Sequence, residues 1–125
     1  MSLGTLRPMP AELEARFAGL PVTKPGDGLV LVEAETHRAR RRGLARLDAL
    51  DPNHGLHIPQ TPSVHTFGMR FALDLIWLDG QGHTVRVDRD VAPWRMRLCL
   101  RARSVVETNA GRADAFLAAG VGRPG

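Results

Sequence analysis

The pattern of apolar and polar positions predicts a small domain made mainly of short strands. Five segments carry the β-forming runs or the alternation typical of strands: 29–32, 55–58, 72–78, 83–87 and 104–108. Two segments predict short helices, one at 37–42 between Thr36 and Gly43 and one at 113–119 before Gly120. This order predicts a mainly β domain with one or two short helices, of the α+β class. We expect a compact, largely antiparallel sheet folded into a sandwich or a partly open barrel.

The first 28 residues differ from the rest of the chain in composition. They hold four of the nine prolines, and one helix could form there, with Leu13, Phe17 and Leu20 spaced three or four apart. Terminal segments of this kind are commonly attached loosely. A chain of 125 residues has the length of one domain. We therefore interpret residues 1–28 as an N-terminal extension and residues 29–125 as a single globular domain.

Composition excludes several classes of protein. The apolar fraction of 43% and the charged fraction of 24% are typical of soluble globular proteins. No apolar run reaches the roughly 18 residues that a membrane span needs, so we expect none. No secretory signal follows Arg7, so we expect a cytoplasmic protein. Because Cys99 is the only cysteine, it cannot form an intramolecular disulfide, and we expect a small buried side chain there.

The charge pattern raises the question of an anionic partner. The net charge is +4, and every basic residue except Lys24 is arginine, a bias that a GC-rich genome also produces. A basic patch is predicted from one run of the sequence, at Arg38, Arg41, Arg42 and Arg46. Such a patch could contact phosphates or an acidic partner, although a solvated helix face is the commoner explanation.

A second arginine-rich span alternates with apolar residues and is predicted to lie on one strand face: Arg95, Arg97, Arg101 and Arg103. Tyr is absent and aromatic residues make up only 5% of the chain, so platforms for stacking nucleic-acid bases are scarce. We expect at most weak, non-specific binding to nucleic acid. If the two groups of arginines adjoin in the fold, a genuine basic surface results.

Candidate ligand-binding residues gather around one predicted strand end and the segment that follows it. They are His57, His65, Met69, Arg70 and Asp74. Asp74 interrupts the most apolar strand, and a buried carboxylate requires hydrogen bonds or a charged partner, here Arg70, Arg101 or His65. A metal-assisted or Asp/His hydrolase would need His57, His65 and Asp74 to converge in one cleft.

Neither a metal site nor a complete catalytic motif is predicted. His54 and His57 are three apart, so on a strand they point to opposite faces, and a zinc site would also need carboxylates such as Asp51. Neither Ser63 nor Ser104 lies in a Gly-x-Ser-x-Gly turn. We assign no catalytic residue, metal or cofactor. The sequence predicts a binding or accessory module, with the hydrolase and an arginine-mediated interaction as alternatives.

Four segments, taken in order, resemble the Domain of Unknown Function 192 family of small prokaryotic domains: Ala34-Glu35-Thr36 with Gly43-Leu44, Leu50 with Gly55-Leu56, the stretch 73–82, and Ser104-Val105-Val106-Glu107 with Ala110-Gly111. The resemblance covers residues 29 to about 122. It implies a compact, mainly β domain. It implies no activity and no catalytic residues, because no established activity comes with the family. The segment 69–74 is shorter and more apolar than the family pattern.

Overall fold

The computed structural model describes residues 11–123, which form three helices and eight strands. The helices are α1 (Ala11–Phe17), α2 (His37–Arg42) and α3 (Ala113–Ala118). The strands are β1 (Val22–Gly26), β2 (Leu29–Glu33), β3 (His54–Pro59), β4 (Ser63–His65), β5 (Leu73–Leu78), β6 (Thr84–Val91), β7 (Met96–Leu98) and β8 (Ser104–Asn109). The predicted α+β class, mostly strand with short helices, is confirmed.

Six of the strands form one mixed sheet in the order β1-β2-β3-β8-β5-β6. All neighbours pair antiparallel except β2 and β3, which are parallel because α2 carries the chain back between them. The strands β4 and β7 form a separate antiparallel pair. The large sheet ends in β1 and β6 without joining them, so it does not close into a barrel.

The large sheet is covered on both faces at β5, which explains the apolar character of this strand. Every residue of β5 is buried. Leu75 and Trp77 point into a core completed by α1, the segment after α2, and Val64 of β4. Ile76 points to the other face, where Phe116 of α3 packs. Gly55 permits this packing, since a Cβ there would lie 3.1 Å from the Phe116 ring.

The packed structure extends N-terminal of the boundary that we expected at residue 29. Leu13 and Phe17 of α1 are buried in the larger core, and β1 pairs with β2. The proline-rich composition predicted a loose segment, but the spacing of these two apolar residues places both on the side of α1 that meets the sheet. Residues 1–10 of the expected extension lie outside the described part of the chain.

None of the three helices in the described residues has the length and apolar character needed to cross a membrane. Cys99 is buried, as predicted from its apolar surroundings.

Candidate ligand pocket at Glu107

A buried carboxyl group forms the floor of the pocket. Glu107 lies in β8 between Leu56 of β3 and Leu75 of β5, which are its direct neighbours across the sheet. The residue is only 5% exposed. Its Oε1 atom has no hydrogen-bond partner among the described residues. Burial raises the pKa of the Glu107 carboxyl from 4.5 to about 7. Near neutral pH this group can therefore either donate or accept a proton.

The C-terminal end of α2 supplies the basic side of the pocket. Thr36 caps the start of this helix by accepting a hydrogen bond from the Ala39 backbone N–H at 3.0 Å. The helix ends at Gly43, whose φ of 49° favours glycine. A Cβ at Gly43 would lie 3.5 Å from Glu107 Oε1, so the turn passes directly beside the carboxyl group.

The cavity has a volume of about 110 Å³. It is lined by the C-terminal end of α2, by β4 and by the residues around them: Arg40, Arg41, Arg42, Gly43, Leu44, Ala45, Ile58, Thr61, Ser63, Val64, His65, Phe67, Met69 and Glu107. Arg41 and Arg42 are exposed and Arg40 is half-buried, so the guanidinium groups lie towards solvent from the buried carboxyl. The pocket thus combines a hydrogen-bonding floor with a positively charged side.

Two of the predicted ligand-binding residues line this pocket, namely His65 and Met69. Arg70 does not, because it is exposed and pairs with Asp48. The predicted basic patch is divided. Its members Arg41 and Arg42 line the pocket, whereas Arg38 and Arg46 are exposed outside it.

His57 lies on the opposite face of the large sheet from Glu107, because β3 alternates and Leu56 faces the same side as the carboxyl. Its Nδ1 is 2.7 Å from Glu33 Oε1, so the ring is already held in place. Glu33 and His57 border a wider pocket of about 620 Å³, which lies between β1, β2 and the residues that follow α3. The His57 Nε2 atom is buried and also has no hydrogen-bond partner among the described groups.

The histidines considered for a metal site are dispersed. His54 lies 3.5 Å from Asp51, and His65 stacks on Phe67 with ring centroids 5.1 Å apart. In the part of the chain that the structure describes, no three His, Cys, Asp or Glu side chains lie close enough to hold a metal ion.

Asp74 is held by the backbone. Its carboxylate is 1% exposed and accepts hydrogen bonds from the N–H groups of Asp90 at 2.9 Å, Gly111 at 2.9 Å and Ala113 at 3.0 Å. The expected hydrogen bonding is present, but the partners considered in the sequence, Arg70, Arg101 and His65, are not involved. Asp74 points to the face of the large sheet that α3 covers, so it shares no cleft with His65. His57, His65 and Asp74 therefore do not meet in one cleft, as a hydrolase site would require.

Comparison with known proteins identifies the family. The family model of DUF192, Uncharacterized ACR, matches residues 22–120. The chain belongs to the DUF192 family. No curated protein matches the chain significantly.

Two solved structures share the DUF192 fold of this chain. A candidate transcription regulator from Sinorhizobium meliloti 1021 superposes with a TM-score of 0.63 at 21% identity, covering 75% of this chain and 78% of its own. A protein of unknown function from Novosphingobium aromaticivorans DSM 12444 superposes with a TM-score of 0.61 at 17% identity, covering 90% and 93%. At these identities the likeness concerns the fold alone.

Sequence reasoning missed Glu107 as a site residue of this DUF192 domain, although the signal was available. Glu107 directly follows Val105 and Val106 in β8, as Asp74 follows Leu73 in β5, and both carboxyl groups are buried. The sequence could not distinguish them, because only the fold shows that Asp74 meets three backbone N–H groups and Glu107 meets none.

Proposed function

We propose that this DUF192 domain is a binding module without catalytic activity, and that the Glu107 pocket holds a small polar ligand. The observation that carries the proposal is the buried Glu107 carboxyl without a hydrogen-bond partner at the base of a cavity. Polar atoms buried in this way nearly always have a partner, and leaving one unsatisfied costs about 1 to 3 kcal/mol. A ligand that donates a hydrogen bond to Glu107 would remove this cost.

The surroundings restrict the chemistry of the ligand. An ammonium or hydroxyl group could donate to Glu107, while an anionic group such as a phosphate or carboxylate could contact Arg41 or Arg42. A volume of about 110 Å³ corresponds to roughly four water molecules in the liquid. The ligand is therefore a small molecule that carries both groups, or the small end of a larger one.

The polar groups in the pocket favour binding over catalysis. A nucleophilic mechanism needs a nucleophile within hydrogen-bond reach of a base. Ser63 and His65 both line the pocket, yet in the described part of the chain neither forms a hydrogen bond with the other or with Glu107.

The proposal is tested by titrating the protein with phosphoethanolamine, with ethanolamine and with inorganic phosphate, following ¹H–¹⁵N chemical shifts. We expect phosphoethanolamine to bind at least about tenfold more tightly than either fragment and to shift the amides of Gly43 and Glu107. Glu107→Gln keeps the shape but loses the anionic form, so we expect binding to weaken about tenfold. Glu14→Gln, which changes an exposed glutamate of α1, is the control. The proposal is wrong if no probe shifts these amides, or if both variants bind equally.

A further inference from the structure

The strand β7 has an edge that no described strand covers. It pairs only with β4, with Val64 opposite Arg97. Backbone hydrogen bonds join Cys99 N to Pro62 O and Thr66 N to Arg95 O, each at 2.8 Å. Because hydrogen-bonded pairs alternate along an antiparallel ladder, the Val64–Arg97 pair is also hydrogen-bonded. The N–H and C=O groups of the residues on either side of Arg97 therefore point away from β4.

Those two residues also present an unusual apolar surface. Met96 and Leu98 lie on the outer face of the small sheet and are 61% and 54% exposed. Trp94, 65% exposed, stacks on Phe67 with ring centroids 5.7 Å apart, and Phe67 in turn stacks on His65. Together, Phe67, Trp94, Met96 and Leu98 form what we call the β7 face. Aromatic residues, Met and Arg are enriched where proteins meet, whereas Lys, Glu and Asp are depleted.

The two chain segments that build the β7 face carry basic side chains and no acidic ones. The segments 55–72 and 91–106, which build it, contain no Asp or Glu. The side chains of Arg95 and Arg97 donate to the backbone carbonyls of Trp94 at 3.3 Å and Met96 at 2.9 Å. In the described residues neither guanidinium forms an ion pair, so both are available to pair with carboxylates of a partner.

We propose that β7 accepts an extended segment of a partner protein in which apolar and acidic residues alternate. The backbone of this segment would pair with the open edge at Met96 and Leu98, a recognised mode of peptide binding. Its apolar side chains would cover the β7 face and its carboxylates would contact Arg95 and Arg97. This inference goes beyond the proposed ligand pocket and does not depend on it.

Two other occupants fit the observations less well. A second copy of the chain, pairing β7 with β7, would bring arginines against arginines, and like charges across a strand pair are destabilising. A lipid bilayer could take up Trp94 and Leu98, but its apolar interior offers no hydrogen bonds to an open strand edge. A peptide strand satisfies the edge, the apolar side chains and the charge at once.

The probe is a capped peptide of alternating glutamate and valine, titrated into the full chain. We expect saturable binding that weakens as salt is added, together with slower hydrogen exchange of the Met96 and Leu98 amides. A peptide of the same sequence, N-methylated on the residues that would face β7, should bind at least about tenfold more weakly. A lysine–valine peptide should not bind.

A protein variant tests the same contact from the other side. Leu98→Pro removes an N–H that points away from β4, and proline is tolerated at such edges, so the β4–β7 pair should persist. For Leu98→Pro we expect peptide affinity to fall at least about tenfold. For Leu98→Ala, which keeps the backbone N–H, we expect it to fall only about threefold. If Leu98→Pro unfolds, the N-methylated peptide still decides between strand pairing and side-chain contact.

Three outcomes would overturn the inference. One is failure of the glutamate–valine peptide to bind, and another is equal affinity of the N-methylated and unmodified peptides. The third is binding to vesicles that contain phosphatidylglycerol, seen as a blue shift of tryptophan fluorescence, while the peptide does not slow hydrogen exchange of the β7 amides. Trp94 would report that shift, because Trp77 is fully buried.

Discussion

Glu107 lies where two requirements of a protein interior conflict. The position in β8, with Leu56 and Leu75 on its flanks, is well suited to an apolar side chain. A carboxyl group there loses its water, and in the described residues it gains no hydrogen bond in return. Three arginines and a histidine line the same pocket, namely Arg40, Arg41, Arg42 and His65. Burial nevertheless dominates the pKa of the Glu107 carboxyl and raises it.

The raised pKa of Glu107 predicts a specific dependence of stability on pH. The unfolded chain releases this proton near pH 4.5, whereas the folded protein keeps it to about pH 7. The free energy of unfolding therefore falls as pH rises through this window and is constant above it. Relative to the wild type, Glu107→Gln should gain about 3 kcal/mol between pH 4.5 and pH 7.5. Urea unfolding of both proteins at each pH measures the difference, in which contributions common to the two proteins cancel. Parallel curves would contradict the raised pKa.

Asp74 acts at the scale of whole elements, because its single carboxylate joins three of them. It belongs to β5, accepts from Asp90 in β6, and accepts from Gly111 and Ala113 where the chain enters α3. Helix α3 has only six residues and no side-chain cap on its first turn from Arg112. The carboxylate of Asp74 takes over that task, since it accepts from an N–H at the start of the helix.

Replacement of Asp74 should therefore lower the free energy of unfolding whether or not a ligand is bound. Asp74→Ala leaves three backbone N–H groups without their acceptor, and we expect a loss of about 3 kcal/mol in the free energy of unfolding. Asp114→Ala removes an exposed carboxylate from the same helix and should cost less than about 1 kcal/mol. Thermal unfolding of the two variants gives the comparison. An unchanged midpoint for Asp74→Ala would show that these hydrogen bonds contribute little.

At the scale of the whole molecule, α1 belongs to the core, although it lies N-terminal of residue 22, where the DUF192 match begins. Leu13 is 2% exposed and packs with residues from both sheets. Arg16 also donates to the Gly43 carbonyl at 3.1 Å, so α1 contacts the turn that borders the Glu107 pocket.

This packing predicts that the first helix contributes measurably to folding. Leu13→Ala should lower the free energy of unfolding by about 2 to 5 kcal/mol, because it leaves a cavity in the larger core. Glu14→Ala, the exposed neighbour, should change it by less than about 0.5 kcal/mol. Chemical unfolding at a single pH distinguishes them. Equal stabilities would mean that α1 is as loosely attached as the sequence suggested.

The sequence by itself determined the local elements. Thr36 and Gly43 mark the two ends of α2. They can be recognised in the sequence because capping and a positive φ each depend on the type of a single residue. The nearly continuous apolar run at 73–78, interrupted only by Asp74, specified a strand buried on both faces. The motifs shared with DUF192 likewise lie within short segments, which is why the family could be recognised from them.

Only the tertiary structure decided which residues meet. Alternation in a strand separates two faces, but the covered face depends on what packs there. Thus Met96 and Leu98 point to solvent although they are apolar, and His57 and His65 lie on different sides of the large sheet. The pairing of β8 between β3 and β5 brings Glu107 beside the end of α2. Such contacts join segments distant in sequence, so they follow from burial of the whole sheet rather than from any local pattern.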